Sequence, residues 1–493
     1  MKHKKSLFNR IAAVITILFF VLSFGFIGYR IFLLHQAEKA GTANPFSTTR
    51  TDEGTSVSVI SGDNPEKSIK KENPAAVLED GSTVYTASVI AVGDNLYHKS
   101  VINSGWRESG EPDYKEMYEY VRDAVQEADL AIVDQETVLT DNFAAASGYP
   151  RFSTPIQAAD ALVDTGFDVV YSATNHADDY GEESLLYTVN YWKTNYPDIT
   201  LLGIHDSPED ADTIRIREVN GIRIAFLEYT YGTNSLGFEG DKSYLLDVFS
   251  DGSAKISEMI RRARNEADCV IFIAHWGLED EPMPTEFEKQ WAAFLMRQGV
   301  DVCIGGHPHN LQPYGFLSDN DGHRMLVFYS LGNFISNMDK MLELLEGMGC
   351  FTIQKTVQPD GSSSVEILDP VVRPMVMHFD YTRSYFRVYF LDDYSDELAQ
   401  QHWLSLKGAF TLRHLQRKFE EIMSINVKPS TGATMLNVRQ LWDGTLLDPQ
   451  GNVVPRPDSE SEFEYYYQMG IDIRNTNTDY DYTAGYQDGG SHG

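Results

Sequence analysis

The first hydrophobic feature of the chain is an uncharged, mostly apolar run from Ile11 to Tyr29, with Lys2, Lys4, Lys5 and Arg10 before it and Arg30 after it. It is apolar on every face, unlike an amphipathic core helix. As a helix it reaches roughly 28 Å at about 1.5 Å per residue, close to the ~30 Å hydrocarbon core of a bilayer. The basic flank comes first, which puts the N-terminus in the cytoplasm and the remainder outside. The pattern therefore predicts a cytoplasmic segment at 1–10 and a single-pass transmembrane anchor over 11–34. A cleaved signal peptide is the competing reading. The run is longer than an ordinary signal core, however, and HQAEKAGTANP after it offers no clean A-x-A site.

Residues 35–82 are rich in Ser, Thr, Gly, Asn, Lys and Glu and read as a linker. From Thr83 the texture changes to short apolar runs alternating with helical patterns. Strands are predicted at Val84–Val92, Leu130–Val133, Val169–Ala173, Ile222–Tyr229, Val270–Ala274, Val302–Ile304 and Met325–Tyr329. Helices are predicted at 114–127, 155–165, 182–194, 253–266 and 285–298. Strands alternating with helices imply an α/β layered domain over 83–365. The strands are apolar on both faces, as expected when helices or a second sheet cover them. Beyond 365 the pattern weakens. Residues 366–455 read as an extension with one helix over 394–423, and the acidic, Tyr-rich tail at 456–493 has a disordered composition.

Charge narrows the partners. Lys and Arg number 40 and Asp and Glu 72, a net charge of −32, which argues against nucleic acid as the main partner. The 3 cysteines cannot form a disulfide framework. Cys269 and Cys303 lie in apolar runs and read as buried small hydrophobes.

The chemistry gathers just after the predicted strands. Gly93-Asp94 follows the first, with His98 beyond it. Asp134-Gln135-Glu136 follows the second. Thr174-Asn175-His176, then Asp178, Asp179, Tyr180 and Gly181, follow the third. His275-Trp276-Gly277-Leu278-Glu279 follows the fifth, Gly305-Gly306-His307-Pro308-His309-Asn310 the sixth, and Ser330-Leu331-Gly332-Asn333-Phe334 the seventh. In α/β folds ligand sites form outside the carboxyl ends of strands, so these groups can converge. Singly, each has a structural explanation: a satisfied histidine, a turn, a helix cap. A structural account must nevertheless place His176, His275, His307 and His309 all directly after apolar strands. Imidazole with carboxylate suits Zn, Mn or Fe. A pair of such ions binds a phosphoryl oxygen, lowers the pKa of a bound water and stabilises a leaving oxygen.

The order of these motifs resembles that of the calcineurin-like metallophosphoesterases. It is closer still to one branch, the bacterial capsule synthesis protein CapA (PgsA) family of poly-γ-glutamate capsule systems. VGD at 92–94, TNHADDYG at 174–181, AHWGLE at 274–279, GGHPHNLQP at 305–313 and YSLGNF at 329–334 look like its signatures. The resemblance covers about 84–336. It implies two divalent metal ions (Mn, Zn or Fe) held by Asp94, Glu136, Asn175, His176, His275, His307 and His309. It implies His176 or His98 as proton donor, and Asp134, Asp179, Glu279 and Asn333 close by. The chain departs from the family pattern in places. Three residues separate Asp94 from His98 where one is usual, Asp134 replaces Asn, and Asp178 stands where an apolar residue is common.

The implied function is capsule polymer synthesis, export or anchoring at the cell membrane, with the main domain extracytoplasmic. Polymer synthase or export subunits would be membrane partners, and poly-γ-glutamate or an envelope phosphoester the substrate. A phosphoester hydrolase with its own small substrate is the alternative from a different class, and a non-catalytic binding or scaffold module a third.

Overall fold

The computed structural model describes residues 75–454 apart from 320, 321, 409 and 449. The run at 11–29, the linker up to residue 74 and the tail from 455 lie outside the described residues. Among those described, no helix is long and apolar enough to cross a membrane.

The strands of three residues or more are, in chain order, β1 (Thr83–Asn95), β2 (Leu130–Asp134), β3 (Val169–Tyr171), β4 (Thr200–Leu202), β5 (Arg215–Val219), β6 (Ile222–Thr230), β7 (Cys269–His275), β8 (Val302–Gly306), β9 (Tyr314–Ser318), β10 (Arg324–Phe328), β11 (Asn333–Ile335), β12 (Leu345–Val357), β13 (Ser363–Phe379), β14 (Phe386–Phe390) and β15 (Thr434–Asn437). They form two large sheets, in the orders β14-β13-β12-β1-β2-β3-β4 and β15-β9-β10-β8-β7-β6-β5, with β11 pairing off the first path beside β1. Strands β1 to β4 run parallel to one another, as do β6, β7, β8 and β10, while β12, β5 and β9 pair antiparallel with β1, β6 and β10. The fold is mixed α/β, as the alternating pattern predicts.

Beside a helix at Lys99–Ser104 and shorter turns of helix, the helices are α1 (Arg122–Glu127), α2 (Ile156–Thr165), α3 (Gly181–Asn195), α4 (Ser253–Glu266), α5 (Glu286–Gln298), α6 (Asp396–Gln401) and α7 (Leu412–Met423). The two faces of the second sheet explain why its strands are apolar throughout. Along β7, Ile271 and Ile273 join the core shared with the first sheet, while Val270, Phe272 and Ala274 join a second core. That second core also takes Ile256, Met259, Ile260 and Ala263 of α4, spaced as one helical stripe, and Trp291 and Leu295 of α5. Side chains alternate across a strand, so each face of β7 is buried against a different layer.

Three expectations change. The region predicted as one helix over 114–127 is a 3-10 turn at Lys115–Tyr118 followed by α1. The region predicted as one helix over 394–423 is broken into α6, a 3-10 turn at Trp403–Leu406, and α7. His402 ends α6, and its ring accepts from the Leu404 backbone N–H at 3.0 Å, a local bond that competes with helix continuation. Gly408, close behind, is a poor helix residue. The boundary expected at 365/366 falls inside β13, which pairs with β12 along most of its length. β15 in turn adds to the second sheet beside β9. The sequence pattern hides β12 because its register with β13 shifts between Cys350 and Thr352, which breaks the alternation.

Candidate metal centre

The parallel registers carry the polar groups to one end of both sheets. Asp94 sits opposite Asp134 on β2 and opposite Asn333 on β11. His275, the last residue of β7, is opposite Gly306 of β8. Glycine lets the sheets approach here: a Cβ on Gly93 would lie 1.8 Å from the Gly332 carbonyl oxygen, and one on Gly306 would lie 2.7 Å from Asp94 Oδ1. After Gly306 the chain turns sharply, with His307 at φ +95° and His309 at φ +57°, backbone that non-glycine residues hold only when the surroundings impose it.

Three overlapping groups result, each with its ligand atoms within 4.8 Å of one another: Asp94, Asp134 and His275; Asp94, Glu136 and His309; Glu279, His307 and His309. Asp94 and His309 each belong to two. Asp94 is completely buried, accepts the His307 backbone N–H at 3.2 Å through Oδ2, and lies 3.0 Å from His309 Nδ1. Asn333 Oδ1 is also 3.0 Å from that nitrogen, and its amide donates to the Glu343 carbonyl, so it orients the ring.

The unsatisfied atoms show what the site fits. Both carboxylate oxygens of Asp134 and of Glu136 are buried without a hydrogen-bond partner, as are His275 Nδ1 and His307 Nδ1. His275 Nε2 faces Asn175 Oδ1 at 2.9 Å. The amide oxygen can only accept, so the proton sits on Nε2 and the Nδ1 lone pair points toward Asp134 Oδ2, 3.5 Å away. That is the tautomer a metal-ligating histidine adopts. Buried acceptors left unpaired are costly, and cations held by these groups would satisfy them. The residues present fit divalent metal.

Electrostatics agree. Burial, then Asp94 and Glu136, push the Asp134 carboxyl well up, and burial pushes Glu136 up. Burial and the neighbouring imidazoles push His275 and His307 well down, keeping both neutral. His309 is raised to about 10, burial being outweighed by Glu136 and Asp94.

His176 stands outside the three groups. Its Nδ1 lies 2.7 Å from Asp179 Oδ2, and its Nε2 is 3.4 Å from Asn234 Nδ2. His98 also stands outside; the Asn337 N–H approaches its Nδ1 at 3.3 Å, and Phe152 packs between the rings of His98 and His176. The Asp178 side chain accepts the Gly237 N–H at 3.1 Å, and its backbone carbonyl accepts from Ser235 Oγ. Asp178 thus tethers the loop that brings Asn234 to His176.

Among the buried acids absent from the sequence-based set are Glu228 and Glu346. Glu228 accepts the Ser172 and Ala173 N–H groups at 3.1 and 2.8 Å and so shapes the turn leading to Asn175 and His176. A charged residue within the apolar run IAFLEYT was the available signal. Glu346 is completely buried with both oxygens unpartnered, and nothing in the sequence of β12 marks it.

A mixed α/β fold with a carboxylate–imidazole cluster at its strand ends is the class that geometry defines. The family model for the bacterial capsule synthesis protein PGA_cap matches residues 88–338, half of the chain, and the chain belongs to that family. It is 31% identical over 222 residues to the PGA biosynthesis protein CapA of Bacillus subtilis (strain 168), covering 44% of this chain and 56% of the relative. It is 28% identical over 199 residues to the capsule biosynthesis protein CapA of Bacillus anthracis, covering 39% of this chain and 46% of the relative. The chain thus spans about half the length of the curated relatives it matches. Among solved structures, the NAD nucleotidase of Haemophilus influenzae aligns with a TM-score of 0.36 and 12% identity over 69% of this chain and 60% of that one, too distant to bear on function.

Proposed function

We propose that this protein acts at the cell membrane in the synthesis, export or anchoring of poly-γ-glutamate, through an extracytoplasmic domain holding a dinuclear divalent-metal site. The observation that carries the reading is the buried cluster of unpartnered Asp134 and Glu136 oxygens around Asp94, inside the segment matching the family. Asp94, Asp134 and His275 would hold one ion, and Glu136 and His309, with Asp94 shared, the other; Glu279 and His307 extend the second position outward. When bound, such ions supply Lewis acidity toward a phosphoryl or carbonyl oxygen and acidify water. The chain's own groups do the rest. Asn175 and Asn333 fix the tautomer and tilt of His275 and His309. Asp179 holds the proton on His176 Nδ1 and leaves Nε2 facing the loop at Asn234.

The anchor at 11–34 and membrane synthase or export partners belong to the same proposal. It is tested in the host: exchanging the gene for an Asp94→Ala allele that still yields folded protein should abolish cell-associated poly-γ-glutamate. Unchanged polymer in that strain would refute it.

The His176–Asp179 pair beside the cluster favours one further reading, a metal-dependent phosphoester hydrolase at the envelope with His176 moving the proton. Turnover of a generic phosphodiester by purified protein, lost in His307→Ala, is its expected signature; turnover retained in that variant would oppose it.

A further inference from the structure

A chain carrying −32 net charge must counter its own repulsion to bring an acidic polymer to a buried site. The residues that answer this come from the extension beyond the family match. Between β13 and β14 the chain turns on Asp380, whose side chain accepts from Thr382 Oγ1 and from the N–H groups of Ser384 and Tyr385. This turn presents Arg383 at φ +52°, a left-handed conformation that arginine seldom adopts. The break between α6 and α7 presents Trp403 and Lys407 from the other side. The Arg383 guanidinium lies 4.1 Å from the Trp403 ring centroid and Lys407 Nζ 4.0 Å from it. Both cations share one carboxylate, Asp339, at 3.2 and 2.9 Å through Oδ2. The trio keeps a net positive charge, and Lys407 is half exposed.

Its position ties it to the metal centre. Asp339 lies in the segment Ser336–Lys340. Two residues earlier, Asn337 donates to His98, and directly after it Lys340 pairs with Asp280, next to Glu279. Arg383 is close enough for its charge to act on His98.

We propose that Arg383, Lys407 and Trp403 form an anion subsite near the metal centre, binding the pendant α-carboxylates of a γ-linked polyglutamate chain. This rests on the capsule-polymer reading above and gives the C-terminal extension a role in holding the polymer. The two cations receive carboxylates while the indole excludes water on one side, which strengthens the pairing.

The test is fluorescence anisotropy of labelled poly-γ-glutamate with the full-length chain across a salt series. It compares wild type, the double variant R383Q/K407Q and the charge-keeping variant Arg383→Lys. The double variant should bind roughly tenfold more weakly with a salt dependence shallower by about one to two charges. Its melting temperature and metal content should match wild type, and Arg383→Lys should restore most of the affinity. Equal affinity and equal salt slope in the double variant would overturn the subsite. A parallel arm with inorganic polyphosphate separates carboxylate from phosphate binding. If wild type binds polyphosphate through the same two residues but ignores poly-γ-glutamate, the cation cluster is a phosphate site, and the carboxylate assignment falls together with the capsule-polymer reading. If it binds neither, the subsite falls.

Discussion

Asp94 and Asp134 are register partners at the carboxyl ends of adjacent parallel strands, both completely buried, and neither oxygen of Asp134 has a hydrogen-bond partner. Two carboxylates side by side in a dry interior cannot both stay ionised without a counter-charge. The fold places His275 and His309 around them and sends no lysine or arginine into the three ligand groups. Beyond the pairing of His309 with Asp94, that arrangement leaves the Asp134 carboxylate to divalent cations.

The close approach of the two sheets depends on bare backbone. Gly93→Ala should lower stability by about 3 kcal/mol, because its Cβ would overlap the Gly332 carbonyl, a backbone atom that cannot step aside. Gly306→Ala should instead weaken metal binding more than folding, because its Cβ meets Asp94 Oδ1. Urea denaturation beside metal titration of both variants separates the effects; identical profiles would contradict the assignment.

Glu228 supports the site from behind. Glu228→Ala leaves the Ser172 and Ala173 N–H groups buried without an acceptor and should cost about 2–4 kcal/mol. A midpoint in urea unchanged from wild type would show that water replaces the carboxylate.

The pair His176–Asp179 predicts a split between chemistry and binding. Asp179→Asn can no longer hold the proton on Nδ1 through a carboxylate, so any turnover should fall by roughly 10²- to 10⁴-fold with metal content unchanged. Loss of metal in this variant would place His176 among the ligands instead.

Away from the site, His205 sits between Asp247, 2.8 Å from Nε2, and Asp210, 3.6 Å from Nδ1. Although burial opposes its charge, the two carboxylates raise it to about 9, above the ordinary value near 6.5. A histidine raised on folding stabilises fully below its unfolded pKa and loses that contribution as pH climbs through the folded one. Stability should therefore decline by about 1–3 kcal/mol between about pH 6.5 and 9, and His205→Gln should flatten that decline. Parallel pH profiles for the two proteins would refute the linkage.

Much of the fold was legible because its strands are buried on both faces. The runs ending at Asp134, His275 and Gly306 stand out as apolar segments, and the polar residues after them announce the site. Asp134 reads from sequence as a neighbour of the ligands, and only the β1–β2 register shows it sharing a group with Asp94 and His275. The family resemblance implies His98 as an alternative proton donor to His176; in the fold its Nδ1 meets the backbone of the Asn337 segment. The C-terminal elements stayed hidden for physical reasons. A bulge disrupts β12 and β13, and a histidine-capped break divides a segment that looks like one helix. Side-chain partnerships across long separations, such as Asp339 with Arg383 and Lys407, leave no local pattern to read.

Metal content tests the central claim most directly. Full-length protein equilibrated with Mn²⁺ or Zn²⁺ and freed of excess should retain two ions per chain by elemental analysis, as a dinuclear site requires. Asp94→Asn, which disturbs the residue common to two ligand groups, should lose at least one while remaining folded. Folded wild-type protein that retains no divalent metal would contradict the account.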